Sequence, residues 1–253
     1  EEIWSTTLKT LKEVILRAKQ KKGKILTIGI TNQRETTILW NKKTGKPIYK
    51  AIVWQDRRTA SFCENLKKRG IHKKIQRITG LEVDPYFSAT KIKWIIDNIK
   101  DAKKDLKNDN LLFGTIDSWL LWNLTEGRSH LTDISNASRT MIFDSKKEKW
   151  SDEILKILNI PKKILPTVAE NAYDFGSTKL FGDSIPIGGM AGDQQSATIG
   201  QACFKKGQSK STYGTGCFLL MNIGEKFKLS KNRLLTTVAF KINGKKMFCY
   251  EGS

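Results

Sequence analysis

The chain has 253 residues and carries 45 Lys and Arg against 25 Asp and Glu, a formal net charge of +20. A chain of this length buries a sizeable core, as one large domain or as one domain and part of a second. The positive excess is mostly Lys spread through turns and helix faces (RAKQKKGK, DAKKDLKNDN, DSKKEKW), without the concentrated Arg and interleaved aromatics of nucleic-acid readers.

Cys63, Cys203, Cys217 and Cys249 show no CxxC spacing, and His72 and His130 stand alone, which argues against a zinc site and a disulfide framework. Neither a signal peptide nor a long apolar span is present, so we expect a cytoplasmic protein with no transmembrane segment and no specific nucleic acid partner. The chain starts at Glu1 and stops at YEGS inside an apolar–polar pattern, as expected of a piece of a longer protein.

The first 24 residues place Ile3, Leu8, Leu11 and Ile15 at helical spacing and end in Lys and Gly, an amphipathic helix with a C-terminal stop. ILTIGIT, at 25–31, is a nearly continuous apolar run that predicts a buried strand. TTILWNKKTGKPIYKAIVW predicts two strands around a Lys-Thr-Gly-Lys-Pro turn, with helices following at 57–69 and 90–99. LLFGTI repeats the strand pattern, and DSWLLWNLTEG predicts a helix capped by Asp117 or Ser118 and closed by Gly127. RTMIFD reads as β, then SDEILKILNI as a short helix ended by Pro161. From Gly207 the sequence becomes Gly- and Thr-rich with β alternation and a hairpin signal at Asn243 and Gly244. The pattern predicts α/β layers over 1–204 and the opening strands of a second unit over 205–253.

Four segments carry candidate chemistry. In GITNQRETT, Arg34 and Glu35 follow a strand end, where α/β sheets place ligands; together they suit a ligand with neighbouring hydroxyls, or else form an ordinary surface ion pair. Trp54 in IVWQDRRT and Tyr86 in LEVDPYFSAT offer aromatic faces to a pocket rim, or to the core. In GGMAGDQQSATIGQ, Gly188, Gly189 and Gly192 allow sharp turning or close approach. Asp193 then stands at a helix start, where it is either an N-cap or a general base kept ionised by the helix, with Gln194 beside it. STYGTGCF has the Thr and Gly content to bring backbone N–H groups to a phosphate, or is simply a turn between strands.

Taken in order, GITNQRETT, IVWQDRRTA, GLEVDPYFSATKIKWIIDN, LLFGTIDSWLLWNLTEG, TDISNASRTMIFD, IPIGGMAGDQQSATIGQ and STYGTGCFLLMNIGE resemble the glycerol kinases of the FGGY carbohydrate kinase family over essentially the whole chain. The resemblance implies an RNase H-like (actin-type ATPase) α/β fold, a mixed sheet with flanking helices. It implies a polyol-binding domain over 1–204 and the truncated start of a nucleotide-binding domain over 205–253. It further implies that Arg34, Glu35, Tyr86 and Gln194 bind glycerol hydroxyls, that Trp54 and Phe218 wall its carbon backbone, and that Asp193 is the base. Gly214, Thr215 and Gly216 would approach the phosphates of ATP, with Mg²⁺ as cofactor, ADP as product and a homo-oligomer, dimer or tetramer, as the full-length form.

Three departures from the family pattern stand out. Its N-terminal strand pair with an Asp-x-Gly-Thr phosphate loop would precede Glu1, and most of its nucleotide domain would follow Ser253, so the segment alone is expected to be inactive and poorly stable. Ser184, after Asp183, stands where regulated bacterial relatives carry Arg, so inhibition by fructose 1,6-bisphosphate is expected to be weak or lost. The alternatives left open are a kinase of another sugar or polyol, such as xylulose or gluconate, and a basic RNase H-like nucleic-acid binder. The latter would need several carboxylates sharing a metal, and the sequence shows no such cluster around Asp193.

Overall fold

The computed structural model describes residues 1–214 and 216–252. It opens with helix α1 (Glu2–Gln20), whose Ile15 is buried and whose Ile3, Trp4 and Leu11 pack onto a core cluster. The chain then enters strand β1 (Ile28–Asn32), a tight turn and β2 (Ile38–Asn41). Helices α2 (Ala60–Lys68), α3 (Ile71–Thr79), α4 (Ser88–Asn98) and α5 (Lys100–Lys107) form one layer. β3 (Leu111–Gly114) pairs antiparallel with β2 and leads into α6 (Ile116–Leu124). Next come β4 (Leu131–Asp133), the single-turn α7 (Ile134–Ala137), the ribbon β5 (Phe143–Asp144) and β6 (Lys149–Trp150), and α8 (Asp152–Leu158). β7 (Thr167–Ala169) pairs parallel with β4. β8 (Ser177–Phe181) and β9 (Asp183–Gly192) precede α9 (Asp193–Gly200), and β10 (Ser209–Tyr213), β11 (Cys217–Gly224), β12 (Leu235–Ile242) and β13 (Lys245–Gly252) complete the order.

Two sheets position the site. One runs β1-β9-β8, with β1 parallel to β9 and β8 antiparallel to it. The other is a four-stranded antiparallel sheet ordered β10-β11-β13-β12. Helix α6 is apolar almost all round (IDSWLLWNL) and is buried accordingly. Its Trp119 and Trp122 meet the fully buried Trp40 at centroid distances of 5.4 and 6.0 Å, each such pair adding about 0.5–1.5 kcal/mol beyond the area it buries. A larger cluster joins α2, α3, α4 and α8 to Val238 and Phe248 of the second sheet. Gly80, at φ 83°, lets the backbone pass so close to β12 that a Cβ would strike the Thr236 carbonyl oxygen at 2.0 Å. The Thr236 N–H donates to the Gly80 carbonyl at 2.9 Å, stitching the two regions together.

Several local expectations need correction. The strand predicted at 25–31 begins at Ile28, Leu26 is exposed, and burial along β1 alternates, because among the described residues β1 is paired along one edge only. The second half of the predicted 36–54 hairpin makes only isolated bridges, at Pro47 and Ile52. Neither Asp117 nor Ser118 caps α6. Thr115 occupies that place, while the buried Asp117 carboxylate accepts from Thr115 and, at 2.6 Å, from Thr132 Oγ1. Of RTMIFD only Phe143–Asp144 is strand. Gly188 and Gly189 do not end the strand; they lie within β9, where the pairing with β1 skips Gly188. The helix after 151, with Ser151 as its cap, and the hairpin at Asn243 and Gly244 stand as expected.

Candidate active site

The parallel register pairs Asn32 of β1 with Gly192 of β9, so the segments that follow, Gln33–Glu35 and Asp193–Gln195, emerge side by side at the carboxyl ends of the strands. Open α/β sheets bind ligands at such a point. Gly192 is needed for space: a Cβ there would lie 2.6 Å from both Cγ and Cδ of Arg34. Glu35 adopts φ 61°, a left-handed conformation costly for a side-chain-bearing residue. Its carbonyl holds it there by accepting from Thr37 Oγ1 and Ser88 Oγ, each at 3.1 Å, and from Lys91 Nζ at 3.4 Å.

Beneath these strand ends lies a floor of buried charge. Arg34, Glu35, Arg139 and Glu251 are each no more than 2% exposed. Arg34 grips Glu251 with a two-pronged fork, Nη1 to Oε2 at 2.9 Å and Nη2 to Oε1 at 2.7 Å. Arg139 bridges the two carboxylates, donating from Nε to Glu35 Oε1 at 2.6 Å and from Nη1 to Glu251 Oε2 at 3.0 Å. Burial alone would raise the Glu251 carboxyl, but Arg139 and Arg34 hold it down at about 2. Glu35 is raised by burial, against the pull of Arg34 and Arg139. Burial works against the charge on Arg34, yet Glu251 and Glu35 keep its pKa well above the ordinary value. Two donors remain without a hydrogen-bond acceptor: Arg34 Nε, which makes an ion-pair contact with Asp193 Oδ1 at 3.0 Å, and Arg139 Nη2. A buried donor left unpaired costs about 1–3 kcal/mol, which a hydroxyl or other acceptor would relieve.

Asp193 is the first residue of α9, one position beyond the cap, so the sequence reading of it as an N-cap is corrected: Gly192 fills that place. Its side chain is 45% exposed and accepts from the Gln194 backbone at 2.8 Å and from Gln194 Nε2 at 3.3 Å. The side-chain oxygen Oε1 of Gln194 in turn accepts from Lys210 Nζ, which also donates to Thr212 Oγ1 at 2.9 Å and to the Phe218 backbone carbonyl at 3.4 Å. Below, the Gly192 N–H donates to Ser135 Oγ at 3.0 Å, and Ser135 donates to Asp133. Burial, helped by the neighbouring Asp117, pushes Asp133 up to about 7, while its hydrogen bonds oppose that rise.

An aromatic wall faces this floor across a cavity of about 560 Å³ lined by Trp54, Tyr86, Arg139, Gly216, Phe218 and Glu251, among others. Trp54 meets Tyr86 and Phe218 edge-on, at 5.6 and 6.3 Å between centroids. The Arg139 guanidinium stands 5.5 Å from the Tyr86 ring centre. Burial, reinforced by the charge of Glu35, pushes the Tyr86 hydroxyl up to about 12, so it remains a donor at neutral pH. Lys91 Nζ donates to the Tyr86 carbonyl at 2.6 Å as well as to Glu35, tying wall to floor.

Arg34, Glu35, Asp193 and Gln194 thus converge, while Trp54, Tyr86, Phe218 and Gly216 line the cavity together with Arg139 and Glu251; the four converging residues adjoin it through Arg139 and Glu251 and do not themselves line it. Gly214 and Gly216 sit in the turn between β10 and β11, and the Gly214 N–H donates to the Gly216 carbonyl at 3.1 Å. Thr215 lies outside the described residues. The sequence reading missed Arg139, Glu251, Lys91 and Lys210. Glu35 and Glu251 gather around Arg34 and Arg139, and the two guanidinium groups neutralise them. A signal for Glu251 existed: it alternates with the buried Met247 and Cys249 along β13, a charge on an apolar face. Arg139, in a turn, carried no such signal.

Comparison with known proteins gives a consistent picture. The model of the FGGY family of carbohydrate kinases, N-terminal domain, matches residues 1–200. Glycerol kinase 1 of Clostridium tetani (strain Massachusetts / E88) is 55% identical over all of this chain and 51% of its own length. The glycerol kinase of Thermoanaerobacter pseudethanolicus is 57% identical over the same shares. The chain spans about half the length of the curated relatives it matches. Among solved structures, Plasmodium falciparum glycerol kinase with ADP superposes at TM-score 0.92 with 42% identity, covering 98% of this chain and 51% of that one. A xylulose kinase from Lactobacillus acidophilus superposes at 0.81 with 23% identity over 96% and 49%. The fold is the RNase H-like, actin-type α/β fold expected from the sequence.

Proposed function

The chain belongs to the FGGY family of carbohydrate kinases, and from that premise we propose that it forms the substrate-binding part of a kinase that converts glycerol and MgATP to sn-glycerol 3-phosphate and ADP. The observation that carries the proposal is the meeting of a half-exposed carboxylate, Asp193, with the buried Glu35 and with Arg34 Nε, which lies 3.0 Å from Asp193 Oδ1 and has no hydrogen-bond acceptor. These groups lie beside an aromatic wall that suits C–H groups. A small polyol presents both faces that such a site asks for.

In this reading Arg34, Glu35, Tyr86 and Gln194 hydrogen-bond the hydroxyls, while Trp54 and Phe218 cover the carbon backbone. Asp193 takes the proton as the hydroxyl oxygen bonds to the γ-phosphorus. The bond from that phosphorus to the β,γ-bridging oxygen breaks, its electron pair leaving with ADP. Positioning and electrostatics supply most of the rate in such transfers. The Gly214–Gly216 turn, Thr215 included, would bring backbone N–H groups toward the phosphates. Among the described residues no three His, Cys, Asp or Glu side chains are grouped to hold a metal ion. Mg²⁺ is read as arriving with the triphosphate, whose negative charge it would neutralise.

The same reading keeps the division into a polyol-binding part at 1–204 and the start of a nucleotide-binding part at 205–253, which the end of the family match at residue 200 supports. It also proposes a cytoplasmic homo-oligomer, dimer or tetramer, as the full-length form. Among the described residues no helix is long and apolar enough to cross a membrane. The test is MgATP-dependent ADP release by the full-length gene product across glycerol, xylulose and gluconate. Selective turnover of glycerol supports the proposal, and preference for either other substrate replaces it.

A further inference from the structure

Arg34, Glu251, Arg139 and Glu35 form a ring of four alternating buried charges. Three of its sides are closed by hydrogen bonds: Arg34 to Glu251 at 2.7 and 2.9 Å, Glu251 to Arg139 at 3.0 Å, and Arg139 to Glu35 at 2.6 Å. The fourth side is open, with Arg34 Nε and Glu35 Oε1 3.8 Å apart. That gap is too long for a hydrogen bond, and a hydroxyl oxygen beside it can lie about 2.9 Å from both atoms, accepting from one and donating to the other. The donor flanking the gap, Arg34 Nε, is one of two buried donors in this ring with no hydrogen-bond acceptor, and its ion-pair contact at 3.0 Å is with Asp193 Oδ1, the base of the proposed reaction.

We propose that Arg139 and Glu251 are positioning residues that hold this fourth side open, so that they set polyol affinity and selectivity without taking part in phosphoryl transfer. Oppositely charged neighbours in a buried site close on each other unless other partners restrain them. Here each is restrained from behind. Glu251 takes both terminal nitrogens of Arg34, and Arg139 takes Glu35 through its Nε, so neither is drawn across the gap. Arg139 also lies against the rings of Tyr86 and Phe87, at 5.5 and 5.1 Å, so the spacing of the floor is tied to the wall. Glu251 belongs to β13 and Arg139 follows α7, whereas Arg34 and Glu35 follow β1. The gap is therefore set by elements remote in sequence.

This inference rests on the polyol reading, and its test separates the two. In the full-length enzyme, Glu251→Gln and Arg139→Lys are expected to raise KM for the polyol about 10- to 100-fold, with KM for ATP within about twofold and kcat at saturating polyol within about threefold. Calorimetric affinity for the polyol is expected to fall in step. The Arg139→Lys, Glu251→Gln double variant is expected to lose no more than the worse single variant, as members of one unit do. If a charge-removing variant fails to fold, Glu251→Asp keeps the charge while withdrawing it by one methylene, and it should still raise the polyol KM several-fold, an estimate on the same scale. Folded variants with an unchanged polyol KM, or with kcat lost at unchanged KM, overturn the inference. Failure of the wild type to use glycerol overturns only the choice of substrate, and the same ratios are then measured with the polyol it does use.

Discussion

The floor of the cleft and its wall are built on opposite physical terms. The floor consists of four charges no more than 2% exposed, each hydrogen-bonded to at least one of opposite sign. Truncating one member of a buried ion pair strands its partner at a cost of about 3–5 kcal/mol, so this half must be complete before any ligand arrives. The wall, Trp54, Tyr86 and Phe218, is half-buried and meets edge-on, with no ion pair among its members. Dispersion contacts are individually worth only about 0.1–0.2 kcal/mol per atom pair and strand no charge when one is lost, so the wall tolerates adjustment that the floor does not. The lesson is that selectivity is stored in the floor, while the wall supplies adaptable apolar contact.

Substitutions break or sharpen this contrast in a definite order. Asp193→Asn removes the base above the floor and is expected to lower kcat by roughly 100-fold or more, with a far smaller change in polyol affinity. Steady-state and binding measurements on the same preparation check it, and near-normal turnover would remove Asp193 from its role. Gly192→Ala touches no charge but drives a methyl group into the Arg34 stem, which the Glu251 fork prevents from yielding. About 1–3 kcal/mol of stability should be lost, with a polyol KM raised roughly tenfold as the floor shifts; a denaturant melt and a kinetic assay read both. Trp54→Leu keeps the wall apolar and is expected to raise the same KM only about two- to fivefold, since one edge-on aromatic contact is worth about 0.5–1.5 kcal/mol.

The last contrast is a pH profile. The folded-state pKa of Glu251 is held at about 2, below the ordinary 4.5. The stability it contributes is therefore present above about pH 4.5 and lost as pH falls through about 2. The wild type is expected to lose melting temperature steeply over that window, and Glu251→Gln to do so less steeply. Equal slopes for the two proteins would show that the carboxylate is not held by the two guanidinium groups.

What the sequence disclosed divides along the same line. Arg34, Glu35, Asp193 and Gln194 each follow a strand directly, and strand ends in α/β layers are legible from apolar runs. Trp54, Tyr86 and Phe218 sit in short motifs that resemble one family. Arg139 was not legible, and Glu251 showed only as a charge on the apolar face of β13, because what defines both is a partner 104 or more residues away, and local spacing is silent about such pairs. Asp117 misled for a related reason. It resembles a helix cap by position, but tertiary hydroxyl partners at Thr115 and Thr132 claim its oxygens.

The Arg34–Glu251 fork also sets a schedule for biosynthesis. Its two members are separated by 217 residues, and a ribosome adding about 5–20 residues per second needs roughly 10–40 s to travel between them. Throughout that interval the guanidinium groups of Arg34 and Arg139 lack their shared carboxylate, and burying them side by side without it would be prohibitive. The nascent chain can form its helices and the Trp40 cluster early. The cleft cannot seal until β13 leaves the exit tunnel, so the binding groups that follow β1 stay hydrated and accessible to chaperones until β13 arrives.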